Sequence, residues 1–194
     1  MKNKPLIIII ILTAIGIFIG FNYQTPTIKQ YNKLNKIDQS IQTALVHEDT
    51  DLTKLLGTFY ETVNTIIEQA ATSENQDQIS FETYESQFAI LSRINQNLTD
   101  VLADRIEKLP DTELGVLNKQ RLTSLSSLND EVGILITNVG NLEKIVHTAK
   151  PIEARNYVMD LQSIFDKIET LQHNYIDQYQ TYLSAKTEFY QSLK

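Results

Sequence analysis

Apolar side chains recur every third or fourth residue along most of this chain, a spacing that amphipathic helices satisfy and strands do not. In the first run, Ile28, Tyr31, Leu34, Ile41, Leu45, Leu52, Leu55, Phe59, Val63, Ile66 and Ala70 keep the interval, with one gap at His47-Glu48-Asp49-Thr50-Asp51. The gap is polar and rich in capping residues, so the helix either kinks there or splits in two. Ser73 to Gln78 has no periodicity and reads as a loop. Ser80 suits an N-cap for a second run from Phe81 to Leu109, which stops at Pro110. Thr112 can cap a third run, Leu114 to Ala149, and a fourth follows Pro151 from Ile152 to Leu193.

Proline costs about 3 kcal/mol inside a helix and is tolerated at its start, so Pro26, Pro110 and Pro151 act as punctuation. Glycine is scarce and no Asn-Gly or Asp-Gly pair occurs, which leaves hairpins little to turn on. The spacing predicts helices over 27–72 with a kink or break at 47–51, then 80–109, 112–150 and 152–192. Short connections make successive long helices antiparallel. The expected fold is all-α, an elongated antiparallel four-helix bundle over 25–194.

The bundle is preceded by MKNKPLIIIIILTAIGIFIGF, in which Leu6 to Phe21 is apolar except for Thr13. Sixteen residues rising about 1.5 Å each reach about 24 Å, a short but workable span of the hydrocarbon core. We expect a membrane anchor over 1–24 whose helix, 5–23, places Leu6, Ile10, Ile15, Phe18 and Phe21 among the lipid tails. A cleaved signal peptide is the competing reading. Ala14-Ile15-Gly16 offers a small-x-small site, but cutting there leaves the apolar Ile17 to Phe21 on the mature chain. Lys2 and Lys4 favour a cytoplasmic N-terminus, and Lys29, Lys33 and Lys36 argue the other way. A short basic start normally stays inside, so the expectation is a single-pass protein of the cell membrane with most of the chain outside the cytoplasm. The chain has no cysteine, which removes disulfides and a lipid-modified cysteine.

The formal net charge is −7, and the order of residues gives no basic patch for phosphates, so nucleic acid is not an expected partner. A di-iron site in a helical bundle needs Glu-x-x-His pairs. Here Glu143 with His147 and Glu169 with His173 stand four apart, and His47 has no such partner. The turn at Pro151 sets His147 and His173 far apart along the bundle, so no metal or other cofactor is expected. Without cysteine, a Gly-x-Ser-x-Gly turn or a glycine-rich phosphate loop, no catalytic residue is expected and the chain does not read as an enzyme.

Five of nine tyrosines, Tyr157, Tyr175, Tyr179, Tyr182 and Tyr190, lie in the last run. Tyr175, Tyr179 and Tyr182 share one helical face. That face is either core with hydroxyls at the rim, or a candidate partner face or oligomer seam, since tyrosine tolerates partial exposure and is enriched in contact surfaces. Arg105 and Arg121 at stripe positions, with Asn138 and Asn141, are polar entries near the core of the kind that fix register.

Laid without gaps on the pattern of the LemA family, Tyr31-Asn32, Leu34, Ala44, Asp49, Leu52, Val63, Thr65 and Ala70 coincide with its residues, and Glu107, Pro110 and Leu114 loosely match its later proline break. The chain resembles that family over about a quarter of its length. At 54–63 it reads KLLGTFYETV, where the family has paired arginines followed by Leu-Ile-Pro-Asn-Leu-Val. The resemblance implies a membrane-bound helical protein and carries over no catalytic residue. The functional expectation is therefore a non-catalytic, membrane-anchored bundle acting as an envelope scaffold, accessory or assembly factor through a protein partner or self-association, without a small-molecule ligand. Its rivals are a sensory ectodomain that binds a small ligand between helices, and a secreted component of a secretion or conjugation apparatus with residues 1–20 removed.

Overall fold

The computed structural model describes residues 26–72 and 76–192. Its helices are α1 (Pro26–Ala44), α2 (Leu52–Thr72), α3 (Glu82–Glu107), α4 (Glu113–Val139), α5 (Leu142–Thr148) and α6 (Pro151–Ser192). A 3-10 turn at Gln76–Gln78 precedes α3, and two short strands, β1 (Val46–His47) and β2 (Thr50–Asp51), lie between α1 and α2. The fold is all-α apart from this ribbon. Among the described residues no helix is long and apolar enough to cross a membrane. The expected span over 5–23, with Leu6, Ile10, Ile15, Phe18 and Phe21, lies outside the described residues.

Cross-contacts give the topology. Ser40 meets Arg105 and Phe59 meets Tyr84, so α1 and α2 both run antiparallel to α3 and in the same direction as each other. Asn95 meets Asn129 and Tyr84 meets Val139, so α4 returns along α3. Arg121 meets Tyr182 and Asn138 meets Tyr157, so α6 returns along α4. Tyr31 stacks on Tyr190 and Tyr60 meets Phe165 edge-on, which closes α6 against α1 and α2. The result is four antiparallel rods: α1 with α2, α3, α4 with α5, and α6. At 42 residues α6 is about 63 Å long.

Each rod buries one stripe. On α4 Leu114, Asn118, Arg121, Leu125, Leu128, Val132, Leu135 and Val139 are buried at alternating intervals of four and three, the seam of a coiled-coil-like bundle. Phe59, Val63, Leu91, Ile94 and Leu98 face that seam from α2 and α3. Deleting one such side chain to alanine costs about 2–5 kcal/mol, because the packed core cannot collapse into the gap.

The polar gap in the first run is a break. Leu45 and Leu52 are both buried, and Leu52 donates its backbone N–H to the Leu45 carbonyl at 3.0 Å. Between them the chain forms a two-stranded ribbon, Val46 opposite Asp51 and His47 opposite Thr50. Glu48 and Asp49 at its tip have φ of 49° and 60°, as both central residues of a type I′ turn require. A hairpin therefore forms without the Asn-Gly or Asp-Gly signal that the sequence lacks. The Asp51 carboxylate accepts the backbone N–H of Thr53 at 2.8 Å and so starts α2, which favours the break over a continuous helix.

Thr112 caps α4 as expected: its hydroxyl accepts the Gly115 N–H at 3.2 Å. The cap of α3 is Phe81 and not Ser80, with no side-chain cap bond, while Glu82 and Glu85 in the first turn favour the helix dipole. Pro151 opens α6, and the Glu153 carboxylate reaches back to the Lys150 N–H at 3.1 Å. The expected helix over 112–150 is divided at Gly140 and Asn141 into α4 and α5. Just before that break, the carbonyls of Asn138 and Val139 accept the hydroxyls of Tyr157 at 3.1 Å and Tyr84 at 2.5 Å. Two tyrosines from neighbouring rods thus satisfy carbonyls at a helix end, where groups otherwise lack partners.

Candidate functional site

The tyrosine face of α6 is turned inward. Tyr175 is 6% exposed, Tyr182 is 1% exposed, and Tyr179 is half-buried. Tyr175 and Tyr182 thus lie in the core of the bundle, with Tyr179 between them at its rim. The physical reason is a charged cluster that holds them against α1 and α4.

Asp38 of α1 is the centre of that cluster. One carboxylate oxygen accepts from Arg121 Nη2 at 2.9 Å and from Asn118 Nδ2 at 3.4 Å. The other accepts from the Tyr182 hydroxyl at 2.8 Å and from Lys186 Nζ at 2.5 Å. Arg121, 1% exposed, also stands over the rings of Tyr182 and Tyr179, at 4.9 and 5.4 Å from their centroids. Lys186 lies 5.7 Å from the centroids of both Tyr31 and Tyr182. Charge, hydrogen bonds and cation–π contacts converge on one height of the bundle. Burial first, and the Asp38 carboxylate second, push the Tyr182 hydroxyl up from its usual range, so it remains a donor. Burial likewise pushes Tyr175 up to about 12.

The layer is not fully satisfied. Arg121 Nε and Asn118 Oδ1 are buried without a hydrogen-bond partner. Its two cations, Arg121 and Lys186, outnumber its single carboxylate, and both stand over tyrosine rings. Such a layer fixes how α1, α4 and α6 are aligned.

Two further polar layers stand along the rods. Asn95 and Asn129 exchange bonds between α3 and α4, Asn95 Nδ2 donating to the Asn129 carbonyl at 2.7 Å and Asn129 Nδ2 to Thr99 Oγ1 at 2.9 Å. Glu131, buried on α4, pairs with Lys167 of α6. Arg105 is half-buried and donates to Ser40 at 3.0 Å, with Asp104 beside it. Asn138 bonds its own helix, its Nδ2 donating to the Ile134 carbonyl at 2.8 Å, and Asn141 forms the N-cap of α5. Thus Arg105 and Arg121 cross-link rods, while Asn138 and Asn141 belong to the break before α5.

The residues that sequence reasoning missed are Asp38, Asn118, Asn129 and Lys186. For Asp38 the signal was present in the interval Leu34, Asp38, Ile41, Leu45, which repeats the four-three spacing with an acid in the apolar stripe. Among the described residues no three His, Cys, Asp or Glu side chains converge as metal ligands.

The open apolar surface lies at the far end of the bundle. Ile67, Ala70, Leu142, Ile145, Val146 and Val158 line a groove of about 520 Å³ between α2, α5 and α6. Met159, 61% exposed, also lines it, and Ile152, next in sequence to the lining Pro151, is 70% exposed. Single exposed apolar residues are ordinary, but a groove with two large ones at its border is a contact surface in form. No family model matches the chain, and no curated protein or solved structure matches it either.

Proposed function

We propose that this chain is a non-catalytic, membrane-anchored helical bundle that acts as an envelope scaffold, accessory or assembly factor by holding another protein at its far end. The observation that carries the reading is the apolar groove of α2, α5 and α6, at the opposite end of the bundle from Pro26, where α1 begins. The run from Leu6 to Phe21 holds one end at the bilayer, with the bundle outside the cytoplasm. The rods then carry the groove about 60 Å outward. The resemblance of residues 31–70 to the LemA family agrees with such an arrangement.

Charge defines the partner. Segments 45–100 and 122–177, which make up the far part of the bundle, contain six basic and eighteen acidic residues. A partner helix whose apolar side is bordered by lysine and arginine complements both the groove and its surroundings. A photoreactive residue in place of Met159 or Ile152, introduced in cells into the full chain, tests this against the same residue at exposed Gln120 near the other end. The expected result is one adduct of the same discrete mass from both groove positions, absent at Gln120 and abolished by Ile145→Asp. No adduct, adducts with this chain alone, or equal labelling at Gln120 overturns the reading.

A further inference from the structure

The charge of the bundle is divided along its length. The end formed by residues 26–44, 101–121 and 178–192 contains eight basic and six acidic residues, against six and eighteen in the remainder. Sequence order concealed this, because the cations come from different helices and the chain as a whole is acidic.

At that end Lys33, Lys36 and Ile37 of α1 and Arg105 and Lys108 of α3 line a cleft of about 280 Å³, the long basic side chains presenting mainly their aliphatic stems to it. Of these four cations, two are paired with the Asp104 carboxylate, Arg105 at 2.6 Å and Lys108 at 2.5 Å. Hydrogen bonding from Lys108, before any other cause, holds the Asp104 carboxyl below its usual range, so it stays ionised. Among the described residues Lys33 and Lys36 have no ion-pair partner. Lys33 and Lys36 are exposed and leave net positive charge at the rim of this cleft, which an anion would offset.

The cleft residues of α1 also follow the apolar N-terminal run closely in sequence. Only four residues separate Phe21 from Pro26, at most about 18 Å of extended chain from one to the other, and Lys33 stands about 10 Å further along α1. We propose that this cleft binds the phosphate of an anionic phospholipid headgroup, a contact that rests on the anchored reading given above. Nucleic acid offers the same phosphates, but the acidic remainder of the bundle would repel a long polyanion, whereas a headgroup need only meet the basic end. The aliphatic stems of Lys33 and Lys36 suit the border between headgroup and acyl chain, with their ammonium groups on the phosphate.

The test places the full chain in nanodiscs of phosphatidylcholine, and in nanodiscs containing phosphatidylglycerol, and reads lysine acylation by mass spectrometry. Lys33 and Lys36 should react at least about threefold more slowly in the anionic discs, with Lys54 and Lys144 unchanged, and the protection should vanish in about 0.5 M salt. Lys33→Gln with Lys36→Gln should remove any protection of Lys108. Equal rates in the two discs overturn the inference, and so does protection in neutral discs by inorganic phosphate alone, which would assign the cleft to a free anion. A chain that elutes apart from the discs overturns the anchored reading and this inference together. One that incorporates but shows equal rates overturns this inference alone.

Discussion

Arg121 and Asp38 are 83 residues apart in sequence and 2.9 Å apart in the bundle core, where the guanidinium has almost no contact with water. Removing one member leaves a buried charge facing apolar side chains, which costs about 3–5 kcal/mol for a fully enclosed pair. Asp38 is slightly open to solvent, so Asp38→Ala should destabilise the fold by about 3 kcal/mol in chemical denaturation. Asp38→Leu combined with Arg121→Leu should cost at least about 1 kcal/mol less than the two single changes added together. Strict additivity would show that the pair is not coupled.

Two glycines should respond in opposite directions. A Cβ on Gly115 would fall 1.8 Å from the Pro110 carbonyl oxygen, in the tight turn between α3 and α4, and backbone cannot step aside as a side chain can. Gly115→Ala should cost about 2 kcal/mol or more. A Cβ on Gly57 meets nothing within 4 Å, on the exposed side of α2, so Gly57→Ala should stabilise by about 0.5–1 kcal/mol. Thermal midpoints of the two variants, measured side by side, check both signs.

The turn between β1 and β2 holds two acidic residues in the left-handed region, which disfavours side chains carrying a Cβ. Replacing Glu48 by Asn and Asp49 by Gly supplies the residues that a type I′ turn favours. The double variant should gain about 1 kcal/mol, with helix content by circular dichroism unchanged. A loss of stability would mean that the two carboxylates contribute more than the backbone strain costs.

Alkali should unfold the bundle through its tyrosines. Burial pushes Tyr84 and Tyr175 up to about 12 from the usual 10.0, with Glu143 and Glu85 adding to the effect at Tyr84. The folded state therefore keeps these protons more tightly than the unfolded chain does. Their contribution is complete below pH 10 and drains away as the pH rises from 10 through 12. Melting temperature should fall across that window, with tyrosinate absorbance from these residues appearing only as structure is lost. Tyr84→Phe and Tyr175→Phe should each flatten the slope.

The fold was legible because its determinants are local. Apolar spacing, prolines and the Thr112 cap are properties of neighbouring residues, and they locate the rods. The two breaks were harder to read. At 46–51 a polar gap was visible but not its hairpin, because the turn uses Glu48 and Asp49 against their backbone preference. At Gly140 the apolar stripe continues through Leu142 and Val146, so periodicity gave no warning, and the tyrosines that support the break come from other rods. The candidate sites were the least legible. Asp38 and Arg121 acquire meaning only together, and Lys33 and Lys36 meet Arg105 and Lys108 only because α3 returns along α1. Tyr175, Tyr179 and Tyr182 were identifiable as a face, but which way that face turns was decided by an acid on another helix.

The uneven charge of the two ends also bears on orientation. A rod with its acid gathered at one end and its cations at the other has a large electric dipole along its long axis. Near any negatively charged plane, that dipole experiences a torque that turns the acidic end outward. Within a screening length of such a plane, about 8 Å at physiological salt, the surface field would help a tethered bundle of this kind to stand rather than lie flat, without a rigid joint at its base.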